Sequence, residues 1–292
     1  MKKKIILVIS IALAIAVCVG VSVYAGLGRN AEVMEGEKAI ADEYVVRDDA
    51  EKTKTQIFYQ SESGATKGSA AANDKVEKEL TYDKTWQLSE DASLDIYKDQ
   101  ENENVEYRYN GNEMTGWSDE DAYQRYATAI NSDPITQEEA ITIAKKHFLE
   151  IYGVDIDTLD LVLELSESED GFELLYRQKF GKNNDINGEF ISAKIWKDGH
   201  VGRSMNQLNR LNGFNPKLVA SISEADMIAF GQKKAAEEFG ERFLRYEIEQ
   251  VRVGLSDEKS GEFSLYVDST VYIKSADLGE VGKVRAYEYP LS

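Results

Sequence analysis

The chain has 292 residues with 34 basic and 53 acidic side chains, a formal net charge of −19 and a single cysteine. That balance argues against nucleic acid and against adsorption to an anionic lipid surface, since both need clustered Lys and Arg. With Cys18 alone, no intrachain disulfide and no cysteine metal cluster is possible, so the fold has to be held by its core.

Lys2, Lys3 and Lys4 precede an uncharged, mostly apolar run from Ile5 to Leu27. At ~1.5 Å per residue a helix of that length reaches across a hydrocarbon core of ~30 Å. Lysines on its N-terminal side place that end in the cytoplasm and everything from Gly28 onward outside. Residues 1–27 are therefore expected to be a single-pass membrane anchor or an uncleaved signal, with the bulk of the chain extracytoplasmic. Val23-Tyr24-Ala25 before Gly26 also suits a signal peptidase, and cleavage after Ala25 would give a secreted protein. The run exceeds the roughly 7–15 residues of a signal core, which favours retention. Cys18 lies inside it behind Val17, a poor context for lipidation, and reads as a small apolar group. Removing Met1 to Ala25 takes away three lysines and no acid, so the remainder moves from −19 to −22. Such a surface serves solubility, and it also suits a basic protein partner or loosely held divalent cations.

Residues 28–79 are polar with charges of both signs, and Gln60 to Asp74 reads QSESGATKGSAAAND. Without apolar periodicity this stretch is expected to be a spacer lifting the folded part off the membrane, with a short strand at Ile57 to Tyr59. From Leu80 the texture changes. Leu94 and Ile96 alternate with polar residues, as do Val105, Tyr107 and Tyr109, and Asn110-Gly111 between alternating runs predicts a type I′ hairpin. Ser118 to Ile130 reads as a helix, with Tyr123, Tyr126 and Ile130 on one stripe.

Pro134 to Gly153, PITQEEAITIAKKHFLEIYG, is echoed from Ile222 to Gly240 as ISEADMIAFGQKKAAEEFG, displaced by 87 residues between Ile135 and Ile222. Thr136 with Glu139, and Ser223 with Asp226, form predicted capping boxes. Ile141, Ala144, Phe148 and Tyr152 correspond to Ile228, Gly231, Ala235 and Phe239, a stripe at helical spacing. Gly153 and Gly240 stand where an αL residue ends a helix. Each helix is followed by alternating runs: LVLEL, FELLYRQKF and EFISAKIW with a second type I′ candidate at Asp198-Gly199 in the first copy, QVRVGL, EFSLYVDSTVYIKS and KVRAYEY in the second. The predicted fold class is α+β, two tandem units after the N-terminal transmembrane or signal helix, each with one helix packed on a small antiparallel sheet. Residues 80–215 hold a hairpin and the first unit, and 216–292 the second.

This order, carried by ITQEEAITIAKKHFLEIYG and FELLYRQKF…EFISAKIWKDGHV, resembles the PepSY-type extracytoplasmic repeat of membrane-anchored clostridial and bacillus-like proteins. LDIYKDQENENVEYRYNGNEMTGW resembles the segment that often precedes such repeats. The likeness covers Leu94 to Val201 well and Ile222 to Tyr289 more loosely. It implies small modules that bind or restrain other proteins outside the membrane, with no catalytic residues to carry over. A peptidase precursor of that kind would continue into a peptidase, and this chain ends at Ser292.

Motifs for chemistry are sparse. His147 lies on a helix with only Glu150 at ligand spacing and His200 follows a turn, so both read as surface or boundary histidines and not as zinc ligands. Asn183, Asp185, Asn187 and Gly188 copy the first half of an EF-hand loop, but Ile191 and Lys194 occupy later ligand positions, which favours a hairpin turn. No nucleophile elbow and no phosphate-binding loop occurs. The expectation is a non-catalytic extracytoplasmic protein-binding or regulatory module with no catalytic, cofactor or metal residues, whose partner is a membrane or envelope protein. An envelope-assembly protein and an unrecognised hydrolase using paired carboxylates are the alternatives.

Overall fold

The computed structural model describes residues 43–59, 75–87, 93–122, 134–211, 213–257, 262–276 and 278–291. The apolar run from Ile5 to Leu27, the QSESGATKGSAAAND stretch and the greater part of the helix expected at Ser118 to Ile130 lie outside them. Ser118 and Asp119 end a strand. Among the described residues no helix is long and apolar enough to cross a membrane.

Thirteen strands and two α-helices are described. Before the first helix come β1 (Glu43–Val45), β2 (Thr53–Tyr59), β3 (Lys75–Gln87), β4 (Ser93–Asp99), β5 (Asn102–Asn110) and β6 (Glu113–Asp119). Helix α1 (Gln137–Tyr152) is followed by β7 (Val162–Glu167), β8 (Gly171–Phe180), β9 (Ile186–Trp196) and β10 (Val201–Asn206). Helix α2 (Glu224–Phe239) is followed by β11 (Phe243–Asp257), β12 (Glu262–Ser275) and β13 (Gly279–Pro290).

The expectation of two units, each with its own small antiparallel sheet, is corrected. The strands follow one hydrogen-bonded path, β1-β3-β4-β5-β6-β10-β9-β11-β12-β13, with β2 on β3, β7 on β8 and β8 on β9. Two pairings make it so. Strand β6, before α1, pairs with β10, after it, through Trp117↔Ser204. Strand β11 pairs in parallel with β9 through Val251↔Ile186 and Arg252↔Asn187, which makes the sheet mixed. Alternation encodes which face of a strand is apolar and carries no information about which edge it offers to whom, so the repeat was visible and its partners were not. The stretch read as a spacer carries β1, β2 and the start of β3. Lys54, Gln56 and Phe58 alternate there, and they point at Tyr97, Tyr109 and Tyr107 respectively.

The chain divides into two compact bodies. The N-terminal body holds Ala39–Gln178 and Phe190–Leu208; the C-terminal body holds Lys179–Glu189 and Asn209–Ser292. In the first, Ala140, Ala144 and Phe148 of α1 pack on Phe172, Leu174, Tyr176, Ile191, Ala193 and Ile195. An aromatic layer of Tyr97, Tyr107, Tyr109 and Trp117 continues that core, with Phe58 edge-on to Tyr107. In the second, Met227, Ala235 and Phe239 of α2 pack on Tyr246, Val251, Val253, Leu265, Val267, Val271 and Ile273.

Both capping boxes form. Thr136 Oγ1 accepts from the Glu139 N–H and Glu139 accepts from the Thr136 N–H. Ser223 and Asp226 reciprocate in the same way. Gly153 closes α1 in the αL conformation (φ 69°, ψ 19°), and a Cβ there would also lie 2.6 Å from the Tyr59 ring. Gly240 departs from the expectation: its φ is 55° but its ψ is −130°, and the chain leaves α2 through a 3₁₀ turn, not an αL cap. The Asn110-Gly111 hairpin is present with its turn one residue on. Asn110 pairs with Glu113 and the loop is Gly111-Asn112, with positive φ at Gly111 alone, so it is not type I′.

The stripe correspondence explains one substitution between the copies. Ala144 has Gly231 as its counterpart, and a Cβ at Gly231 would lie 1.9 Å from the Tyr246 hydroxyl. The strand under α2 raises a tyrosine there, so the helix gives up its side chain. Replacing Gly231 with Ala improves helix propensity by about 0.8–1 kcal/mol, but overpacking of about 1–3 kcal/mol outweighs it. Urea melts should show Gly231→Ala less stable than the parent, and Tyr246→Phe, which removes the obstructing oxygen, should recover part of the loss. In the same melts Phe148→Ala should cost about 3–5 kcal/mol and Thr136→Ala about 0.5–2 kcal/mol.

Candidate functional site

Among the described elements, α1 covers one face of the strands of the N-terminal body and α2 one face of those of the C-terminal body. In the N-terminal body the register assigns the other face. A bulge at Asp83 in β3 and the irregularity between Arg108 and Tyr109 keep the alternation in phase across the strands. Lys98 lies opposite Glu106, which lies opposite Ser118, which lies opposite Arg203, which lies opposite Lys194. These five positions run across β4, β5, β6, β10 and β9 on the face turned away from α1.

The charges interlock. Lys84 Nζ is 3.0 Å from Glu106 Oε1, Arg108 Nη2 is 3.4 Å from Glu106 Oε2, and Arg108 also donates to Ser118 Oγ at 2.9 Å. Further along, Lys194 Nζ is 3.2 Å from Asp170 and 3.7 Å from Glu173, and Arg203 reaches Glu173 at 3.3 Å. Lys194 also stands over the Trp196 ring at 5.0 Å. Burial pushes the Glu106 carboxyl up, but Lys84 and Arg108 outweigh it and hold the group below the usual carboxylate range. Its neighbour Glu120 is pushed up by burial and by the Glu106 charge. Lys194 and Glu106 are buried, whereas the Arg203 side chain is 53% exposed and the Lys98 side chain 27%. The face is thus a set of ion pairs, with Lys98 held 3.6 Å from Asp83 at one end and the more exposed Arg203 at the other.

The C-terminal body repeats the arrangement more tightly. A bulge at Glu249 leaves Gln250 and Arg252 on the face away from α2. Arg252 Nε donates to Asp268 Oδ2 at 2.8 Å, both side chains being under 10% exposed, and Gln250 donates to the same oxygen at 2.9 Å. The guanidinium also lies over Tyr266 at 4.8 Å.

His147, expected at a surface or boundary, is buried. Together with Ala140, Ala144 and Phe148 it makes the inner stripe of α1. Its Nε2 is 2.8 Å from Ser204 Oγ, Tyr152 Oη is 2.9 Å from the same oxygen, and Trp117 lies edge-on at 4.6 Å. Burial lowers the His147 pKa from 6.5 to about 3, so the ring is neutral. A serine beside a neutral imidazole has the composition of a nucleophile and its base, but Ser204 is 1% exposed. No substrate atom reaches it, and the trio's work is to hold α1 to β10. A position seven residues from Ala140 and three from Ala144 falls on the buried side of a helix, and that spacing was the available signal. His200 is where the turn suggested, its Nδ1 2.8 Å from Asp198 Oδ2.

The half EF-hand does not assemble. Asp185 accepts the Glu224 N–H at the start of α2, Asn187 accepts from Lys179, Ile191 is in the core of the N-terminal body and Lys194 is on its charged face. Among the described residues no group of His, Cys, Asp and Glu is placed to hold a metal ion. No protein-family model, no curated protein and no solved structure matches the chain.

Two predictions follow from these geometries. The unfolded chain binds a proton at His147 below pH 6.5 that the folded chain refuses until about pH 3. The stabilisation from the neutral ring is complete above pH 6.5 and is lost as pH falls through that window, at about 1.4 kcal/mol per pH unit. In His147→Gln, chemical denaturation at pH 7, 6, 5 and 4 should show that part of the acid slope gone. Arg252→Met should cost about 3–5 kcal/mol by leaving the Asp268 carboxylate buried and alone, whereas Arg252→Met with Asp268→Leu should cost much less, as denaturant midpoints will register.

Proposed function

We propose that the chain is a non-catalytic, extracytoplasmic protein-binding or regulatory module, held at the outer face of the cytoplasmic membrane through residues 1–27, and that the charged face of its N-terminal body is where the partner docks. The observation that carries this reading is the meeting of Trp196, Arg203, Lys194 and Arg108 on the face of the strands away from α1. Trp and Arg dominate binding energy at protein interfaces, because each offers a large contact area together with directional donors. The ion pairs beneath hold those side chains in place before any partner arrives, which lowers the ordering cost of association. The lysines ahead of the apolar run support the location, and the resemblance to PepSY-type repeats supports the class of activity. The partner on this reading is a membrane or envelope protein, and its complementary surface is acidic where it meets Lys98 and Arg203.

A photo-crosslinking side chain in place of Arg203, in intact cells, tests the assignment. It should give a discrete adduct that weakens when Lys98→Glu is added, while the same probe at the exposed Glu237 of α2 gives none. Equal adducts at both positions, or indifference to Lys98→Glu, would move the interface elsewhere.

A further inference from the structure

Strand β13 is the end of the sheet path: β12 pairs one edge, and among the described residues no strand pairs the other. Its twelve residues pair with β12 without a register shift. Ser269 Oγ donates to the Arg285 carbonyl at 3.2 Å, so the backbone of Arg285 points toward β12. Backbone groups in an antiparallel ladder alternate in direction, so Gly282, Val284, Ala286 and Glu288 point theirs away from the sheet. Pro290, in the same phase, has no N–H to leave unpaired. Val284 is 48% exposed, and its carbonyl accepts one bond from its neighbour Arg285, keeping a second lone pair free. The other terminal strand of the path, β1, has three residues, and the off-path edge strands β2 and β7 have seven and six, β2 lying against α1 and β7 carrying Glu164 and Glu167. A long edge without a bulge is a template for another strand.

We propose that β13 pairs with β13 of a second copy of this chain, antiparallel about Ala286. The side chains select both the occupant and the register. Centring the pair on Val284 sets Lys283 against Arg285 of the second copy. Moving half a step in one direction sets Arg285 against Arg285, and in the other Lys283 against Lys283. Centring on Ala286 removes every such conflict. Arg285, which keeps its own ion pair with Glu238 at 2.8 Å, then lies beside Tyr287 of the second copy, whose hydroxyl donates to that copy's Glu238. Lys283 faces Tyr289, Val284 faces Glu288 and Gly282 faces Pro290. Cation and ring are favourable cross-strand neighbours, and the small side chains of Gly282, Val284 and Ala286 leave the backbones free to approach. The contact lies in the C-terminal body and does not involve the docking face of the N-terminal body, so either assignment can fail without the other.

The test uses the full chain in detergent micelles, in a Cys18→Ser background. Ala286→Cys should form a disulfide-linked dimer on mild oxidation, because residues facing each other across a hydrogen-bonded antiparallel pair are about 5.5 Å apart at Cα, within disulfide reach. Val284→Cys and Glu288→Cys, each alone, should not. Sedimentation should give twice the mass of one chain, rising with salt because both copies are acidic. Ala286→Pro should return one chain per particle with its melting midpoint near the parent's, since the N–H it removes points out of the sheet and edge prolines are tolerated. A single-chain mass for the parent, equal crosslinking at all three cysteines, or an Ala286→Pro variant that stays dimeric would overturn the proposal. So would a parent that is monomeric alone and takes up an added foreign strand.

Discussion

The covering of one strand face by α1, and of another by α2, is the constraint on which the rest depends. A strand has two faces, and α1 and α2 each supply apolar side chains to one of them. The opposite faces carry charge placed by register. Lys84, Glu106 and Arg108 meet across β3 and β5, and Arg252 and Asp268 across β11 and β12. These pairs add little net stability over apolar residues of the same shape, because taking charges out of water is costly. They do make a single register better than its neighbours, since a slip by one residue would turn Glu106 and Asp268 into apolar faces.

Within the covered faces the two copies use one pattern with its bulk redistributed. Ala140, Ala144 and Phe148 in α1 become Met227, Gly231 and Ala235 in α2. The large side chain moves from the C-terminal half of the helix to the N-terminal half, and the strands answer. Under α1 the floor is Phe172, Leu174 and Tyr176, with Tyr176 edge-on to Phe148 at 6.0 Å. Under α2 Tyr246 rises into the space left by Gly231. Volume is conserved across the interface more nearly than residue type is, as close packing requires. His147 and its counterpart Lys234 differ more. The imidazole is buried against Ser204, whereas the lysine side chain is 46% exposed.

What was legible in the sequence is what is local. Thr136 with Glu139, Ser223 with Asp226, and the αL Gly153 act within a few residues of one another, and each was readable from spacing. The turn at Asp198-Gly199 was equally local in position, but only Gly199 has a positive φ, at 88°, with its N–H donating to the Trp196 carbonyl, so it is not the type I′ turn expected. The partners of β6, β9 and β11 were not readable, because a strand's two edges are chemically alike until the chain path fixes them. The charged face was hidden for the same reason: Glu106 and Lys84 are neighbours only after β3 and β5 have both paired with β4. Polarity misled at Thr53 to Tyr59. There Lys54 lies over Tyr97 and Tyr109, and Gln56 accepts from the Tyr109 hydroxyl, so its polar residues are spent inside the body.

That use of polar groups bears on the acidic balance of the whole chain. Arg108, Lys194 and Arg252 are committed to carboxylates on the faces away from α1 and α2, and Lys54 is sequestered by tyrosines. Cations held in this way cannot turn toward a polyanion, and many of the remaining acids stand in turns and on the outer sides of the helices. Cations so committed leave the net charge of −19 to set the long-range field. Arg203 reaches solvent while it keeps its contact with Glu173. A long-range acidic field combined with a few local cationic contacts repels most surfaces of like charge and admits one shaped to meet those cations, which is how specificity arises at little cost in affinity.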